Sequence, residues 1–179
     1  MSTKTLKISS ALPPFSLKSV DEKVYSPEMF SDKKVLIIIF SCNHCPYVQT
    51  YEKRIIELQR IFAEDIAIVA ISSNDAVNYP EDSFEMMKKR AAEQQFNFPY
   101  LYDEDQSIAK AFDATHTPEV FLFNQERKLA FHGKIDDNWQ EAENVKSRYL
   151  KEAIEEVLND EEVSVPETFT IGCTIKWKD

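Results

Sequence analysis

The sequence predicts an α/β fold in which a central mixed β-sheet is flanked by helices. Two continuous apolar runs rich in Val and Ile, at 34–41 and 66–72, have the pattern of strands covered on both faces. Each is followed by residues that place apolar side chains at three- and four-residue intervals, the mark of an amphipathic helix. A pair of short apolar segments around a turn, then one more amphipathic helix, completes the pattern. Strands alternating with helices and then a hairpin imply a mixed sheet between helical layers.

Taken in order, residues 13–17 and 24–26 alternate apolar and polar about a turn-like 19–22, predicting an N-terminal hairpin or irregular edge. Residues 27–30 form a single turn before the first central strand at 34–41. A helix over 43–62 carries Val48, Tyr51, Ile55, Leu58 and Phe62 on one stripe. Pro46 lies in its first turn, where the missing N–H has no intrahelical acceptor in any case. The second strand is 66–72, followed by a helix over 82–95 that turns Phe84, Met87 and Ala91 inward. A short strand at 98–102 and a short helix at 106–112 come next. Segments 120–123 and 128–132 read as an antiparallel pair joined by the turn 124–127. The last helix, 142–158, has Leu150, Ala153, Ile154 and Val157 on one face. Residues 1–179 thus read as one domain with a tail extension at 160–179. The tail is expected to add an edge strand or to lie across the face that carries the chemistry.

A chain of 179 residues can bury a sizeable core, and 43% hydrophobic with 29% charged residues is a globular balance. The net charge of −10 argues against nucleic acid or an anionic membrane as partner, since both call for clustered Lys and Arg. Residues 1–10 hold no apolar core of signal-peptide length, and no later run approaches about 18 apolar residues. A soluble cytoplasmic protein is expected. Three cysteines are too few for a secreted disulfide scaffold.

Two of them form Cys42-Asn43-His44-Cys45, between the first apolar run and the first helical pattern. This spacing can close into a small-ring disulfide, and a helix N-terminus beside it favours thiolate. In a βαβ setting it reads as a thiol–disulfide redox centre. The competing reading is a zinc site built from Cys42, Cys45, Cys173 and one of His44, His116 or His132. Against it stand the absence of a second close-spaced pair and the helix that begins at the motif. His44 can place positive charge near a thiolate and make the pair more oxidising. Cys173 reads as a small buried hydrophobe or as a third redox thiol, with Gly172 allowing a close backbone approach. His116 is a candidate for proton transfer, and Glu81, Asp82 and Glu119 are candidate proton acceptors.

A strand ending in C-x-x-C, a helix, a strand, a helical insertion and then Thr117-Pro118 before Glu119-Val-Phe-Leu-Phe123 resembles the thioredoxin fold. The segments Pro14-Phe-Ser-Leu17 and Tyr25-Ser-Pro27, with the insertion at about 75–112, resemble its redoxin branch. That branch holds the alkyl hydroperoxide reductase/thiol-specific antioxidant (AhpC/TSA) proteins and the TlpA/ResA-type oxidoreductases. The resemblance implies that Cys42 is an exposed nucleophile at the helix start and Cys45 the shielded resolving thiol one turn in. It implies that Pro118 is a cis-proline facing the pair, and that the Thr117 backbone binds an extended substrate peptide. Three departures stand out: Ser41 replaces the usual Trp, Leu36 the usual buried Asp, and Cys42 and Ile38 the Thr and Pro of the peroxiredoxin motif. The implied activity is thiol–disulfide exchange in redox homeostasis, with a thiol peroxidase as alternative and a non-catalytic or zinc-containing module as third. No cofactor or metal is needed for the first. The implied partners are protein or small-molecule disulfides and thiols, with a thioredoxin-like protein as electron donor.

Overall fold

The computed structural model describes residues 6–179; residues 1–5, part of the stretch read as lacking a signal peptide, lie outside the described residues. In chain order the strands are β1 (Leu17–Lys18), β2 (Val24–Tyr25), β3 (Val35–Ser41), β4 (Ile66–Ser72), β5 (Tyr100–Tyr102), β6 (His116–Thr117), β7 (Glu119–Phe123), β8 (Leu129–Gly133) and β9 (Cys173–Thr174). The helices are α1 (Pro46–Ile61), α2 (Phe84–Gln94), α3 (Ser107–Phe112) and α4 (Tyr149–Leu158). Five strands form the main sheet in the order β5-β4-β3-β7-β8. β3, β4 and β5 run parallel, while β7 and β8 are antiparallel to their neighbours. The expected N-terminal hairpin is β1–β2, pairing Leu17 with Tyr25. This is the thioredoxin-like architecture.

The central strand shows why an unbroken apolar run was needed. Side chains alternate between faces along a strand. Val35, Ile37 and Ile39 pack with Tyr51, Ile55 and Leu58 of α1, Met87 of α2 and Leu150, Ala153 and Ile154 of α4. Leu36, Ile38 and Phe40 pack on the other face with Phe15, Ala109 and Phe112 of α3, Phe121 and Phe123. A polar residue on either face would lie in a dry layer, where each fully buried aliphatic side chain contributes about 1.5–3 kcal/mol. None of the described helices is long and apolar enough to cross a membrane.

Three helix starts differ from the sequence expectation by two residues or more. α1 begins at Pro46 rather than at residue 43, because a proline clashes with a helical conformation at the residue before it. Cys45 is extended, at φ −75° and ψ 122°, and becomes the N-cap. The final helix begins at Tyr149 rather than 142. Residues 142–144 form a separate turn, and Lys146 N–H and Ser147 C=O bond to Asp137 instead of to helical partners. α2 likewise starts two residues late, at Phe84, after the turn Pro80–Asp82. The tail does add a strand, and it crosses the cysteine face: β9 pairs antiparallel with β6, with Thr117 opposite Cys173 and His116 opposite Thr174.

Candidate active site

β3 delivers Cys42 at its C-terminal end, and the extended Cys45 delivers the second thiol at the mouth of α1. The loop between β6 and β7 closes over them. The Thr117–Pro118 bond is cis, and Thr117 touches both sulfurs: its Oγ1 is 3.6 Å from Cys42 Sγ and its carbonyl oxygen 3.4 Å from Cys45 Sγ. The third sulfur comes from β9, with Cys173 Sγ 2.8 Å from Cys45 Sγ. Three thiols thus meet under one loop. Cys42 and Cys45 are 1% and 0% exposed, while Cys173 is partly exposed.

Three adjacent sulfurs share negative charge unequally. The thiol of Cys42 hydrogen-bonds to Cys45, and burial opposes this. Contact with the Cys173 thiol and with the N–H groups of Val48 and Cys173 tips the balance, bringing Cys45 down to about 4. Cys42 is pushed far up, first by acting as donor to Cys45, then by burial and by the nearby carboxylate of Asp82. Cys173 is raised to about 11 by burial and by its contact with Cys45. The thiolate therefore belongs to Cys45, at the helix N-terminus where amide dipoles favour it. Cys45 is shielded as expected, but Cys42 is buried rather than exposed, and the acidic sulfur is Cys45 rather than Cys42. Cys42 lies beneath the Thr117 loop, and Pro46 moves the helix mouth to Cys45.

The buried carboxylate missing at position 36 is supplied from the insertion. Asp82 is fully buried, and its Oδ1 accepts the Asn43 N–H at 2.8 Å. Asp82 Oδ2 accepts Asn74 Nδ2 at 2.9 Å and stands 2.5 Å from His44 Nδ1, close but without hydrogen-bond alignment. Cys42 Sγ, His44 and Asp82 place ligand atoms within 4.8 Å of one another. These three could contact a metal ion, but both Asp82 oxygens already accept protein donors. Glu81 is more remote: its carbonyl accepts Asn43 Nδ2, and its half-exposed carboxylate lies 3.9 Å from His44.

Glu119 and His116 do other work. The buried Glu119 Oε1 accepts the N–H groups of Thr115 and His116, at 2.8 and 3.0 Å, and Oε2 pairs with His132 Nε2 at 2.7 Å. Burial raises its carboxyl, but these partners outweigh that and hold it below the usual range. Glu119 thus pins the loop that carries Thr117. His116 Nδ1 bonds the Thr115 hydroxyl at 2.8 Å, and its backbone pairs with the tail. Asn43 and Tyr100 went unassigned as site residues in the sequence. The Tyr100 hydroxyl donates to Asn43 Oδ1 at 2.8 Å, extending the Asp82 network. A buried phenol needs such a partner, which was the available signal for Tyr100 in its apolar strand.

Residues 8–132 match the AhpC/TSA family. An uncharacterized conserved protein of Geobacillus kaustophilus superposes with a TM-score of 0.91 at 37% identity, covering 97% of this chain and 94% of that one. A hypothetical protein of Sinorhizobium meliloti gives 0.92 at 32% identity, covering 98% and 97%. The thioredoxin domain of a thiol-disulfide oxidoreductase from Bacteroides vulgatus gives 0.62 at 15% identity, covering 72% and 89%, a likeness of fold. No curated protein matches the chain.

Proposed function

Because this chain belongs to the AhpC/TSA family of thioredoxin-like redox proteins, we propose that it is a thiol–disulfide oxidoreductase working through Cys42 and Cys45. One observation carries the reading: Cys42 and Cys45 meet under one loop, Thr117 touching both sulfurs, with Cys45 at the N-cap of α1 where a thiolate is favoured. In the reduced protein Cys45 holds the charge and Cys42 the proton. On oxidation the two sulfurs bond, the two electrons pass to the acceptor disulfide, and the Cys42 proton is released. Asp82, within 4.8 Å of Cys42 Sγ, is placed to receive that proton. Low pKa on one sulfur also makes it a good leaving group when the bond reopens. We assign the protein to the cytoplasm. Its partners are protein or small-molecule disulfides, with electrons from low-molecular-weight thiols or a thioredoxin-like donor.

A redox titration tests this. Protein equilibrated in dithiothreitol and glutathione buffers across about −270 to −120 mV, the span of related couples, is trapped with maleimide and peptide-mapped. A two-electron transition yielding a Cys42–Cys45 linkage is expected. Thiols that stay unlinked throughout would overturn the proposal. A thiol peroxidase is the second reading: if Cys45 is laid on the peroxidatic cysteine, with Cys42 and Ile38 then replacing the Thr and Pro of that motif, the sulfur so placed is the one held as thiolate. Rapid mixing with hydrogen peroxide decides it, since a peroxidase must react far faster than an ordinary thiolate.

A further inference from the structure

We infer that Cys173 is a third catalytic thiol, the sulfur at which small thiols from solvent exchange with the buried Cys42–Cys45 pair. This rests on the reading of that pair as a redox couple and adds its route to solvent. Cys42 and Cys45 are 1% and 0% exposed, so a solvent thiolate has no approach to either. Cys173 is partly exposed and its Sγ is 2.8 Å from Cys45 Sγ, within about 0.8 Å of a sulfur–sulfur bond length. Cys173 is the one cysteine outside the buried pair in this chain of three.

The tail is fastened as part of the site. Ile175 N–H bonds the Thr115 carbonyl at 2.9 Å, and the Ile175 side chain is buried. Lys176 N–H donates to Asn74 Oδ1, the other end of the amide that donates to Asp82. Asp75 N–H and Gln106 Nε2 both donate to the Lys176 carbonyl. The chain has two glycines, and each lies where the tail meets the body. A Cβ on Gly172 would sit 2.1 Å from the Thr117 carbonyl oxygen, and one on Gly133, at φ +150°, would sit 2.0 Å from Thr168 Oγ1. β9 also fills the edge of β6 that an extended substrate peptide would need. The partner that fits is therefore a compact thiol reaching one sulfur, rather than a peptide strand.

The exchange balances as follows. Starting from the Cys42–Cys45 disulfide, Cys173 gives its proton to solvent and its sulfur attacks Cys45 Sγ. The Cys45–Cys173 bond forms, the Cys42–Cys45 bond breaks, and Cys42 leaves with the electron pair and takes a proton. An external thiolate then attacks Cys173 Sγ, forming a mixed disulfide and expelling Cys45 as the thiolate its surroundings stabilise. A second external thiolate attacks the outer sulfur, releasing the external disulfide and Cys173, which is reprotonated. Two small thiols are oxidised and one protein disulfide is reduced. The reverse sequence lets a small disulfide oxidise the protein.

Oxidised wild type and Cys173→Ser are first mapped to establish the Cys42–Cys45 disulfide in each, then reduced with glutathione in rapid-quench experiments. Reduction of Cys173→Ser should be at least about tenfold slower, because the stabilised leaving group is reached only through Cys173. Separately, Cys42→Ser treated with oxidised glutathione should accumulate a Cys45–Cys173 link within one chain. A wild-type rate in Cys173→Ser, or no such link in Cys42→Ser, overturns the relay while leaving the Cys42–Cys45 couple standing. If wild type forms no Cys42–Cys45 disulfide at all, the couple and the relay fall together.

Discussion

Replacing Gly172 with Ala is expected to lift the tail from the cysteines without removing any sulfur. The added methyl would meet the Thr117 carbonyl oxygen at 2.1 Å, the Thr117 carbonyl carbon at 2.8 Å and Pro118 N at 3.3 Å. Ordinary contact needs roughly 3.5 Å, so β9 or β6 must retreat by more than 1 Å. β6 is the stiffer side, since Glu119 holds the N–H groups of Thr115 and His116. The tail strand therefore moves, taking Cys173 away from Cys45 and opening the cluster of Cys42 and Cys45 against which it packs. Overpacking of this kind costs about 1–3 kcal/mol, which converts to a shift of about 5- to 150-fold in the open population. Iodoacetamide alkylation of reduced protein, read by peptide mapping, should accelerate at Cys42 and Cys45 by that factor. The urea midpoint should change little, because the tail opens locally while the sheet stays folded. Unchanged alkylation of both cysteines would refute the idea that Gly172 is what lets the tail pack against them.

Three further outcomes follow from the site electrostatics. The Cys45 thiol falls from its ordinary 9.0 to about 4 in the folded reduced protein, so between those values the unfolded chain binds more protons and stability rises with pH. Denaturant melts should show wild type losing up to about 1.4 kcal/mol per pH unit relative to Cys45→Ser on acidification through that window; above it, the raised thiols of Cys42 and Cys173 reverse the slope. Asp82→Asn removes a buried negative charge that opposes ionisation in the sulfur cluster, which is charged only when reduced. Its redox titration should move to a less negative potential, by about 30 mV for each 1.4 kcal/mol gained by the reduced state; a shift the other way would assign Asp82 no electrostatic role. Glu119→Gln breaks charge-assisted bonds to two backbone N–H groups and His132. It should cost about 1.5–3 kcal/mol in urea unfolding, and the wild-type contribution of Glu119 should fade as pH drops through its lowered carboxyl value.

The features that local chemistry determines were plain in the sequence, while those made by distant chain segments showed only through the resemblance or as open alternatives, the tail as edge strand or cover among them. The buried strands at 35–41 and 66–72 announce themselves because a strand with two dry faces has no position for a polar side chain. Pro46 shows the limit of reading a residue by one property. Its missing N–H supports a helix start, but its ring also forbids helical backbone at Cys45, and the second effect decides which sulfur meets the helix dipole. Asp82 was one of three acids named as proton acceptors, and nothing in periodicity ranks a carboxylate 40 residues from Cys42 above its neighbours. Its place beside Cys42 comes from the Asn43 and Asn74 bonds that only the folded insertion provides. The tail is the extreme case: Cys173 and Cys45 are separated by 128 residues, and a two-residue strand carries no pattern. The signal it does leave is scarcity. In a chain with two glycines, Gly133 and Gly172 sit where two backbones approach more closely than a Cβ allows. A glycine beside a cysteine in an otherwise glycine-poor chain thus marks a backbone contact, and here that contact sets the third sulfur against the second.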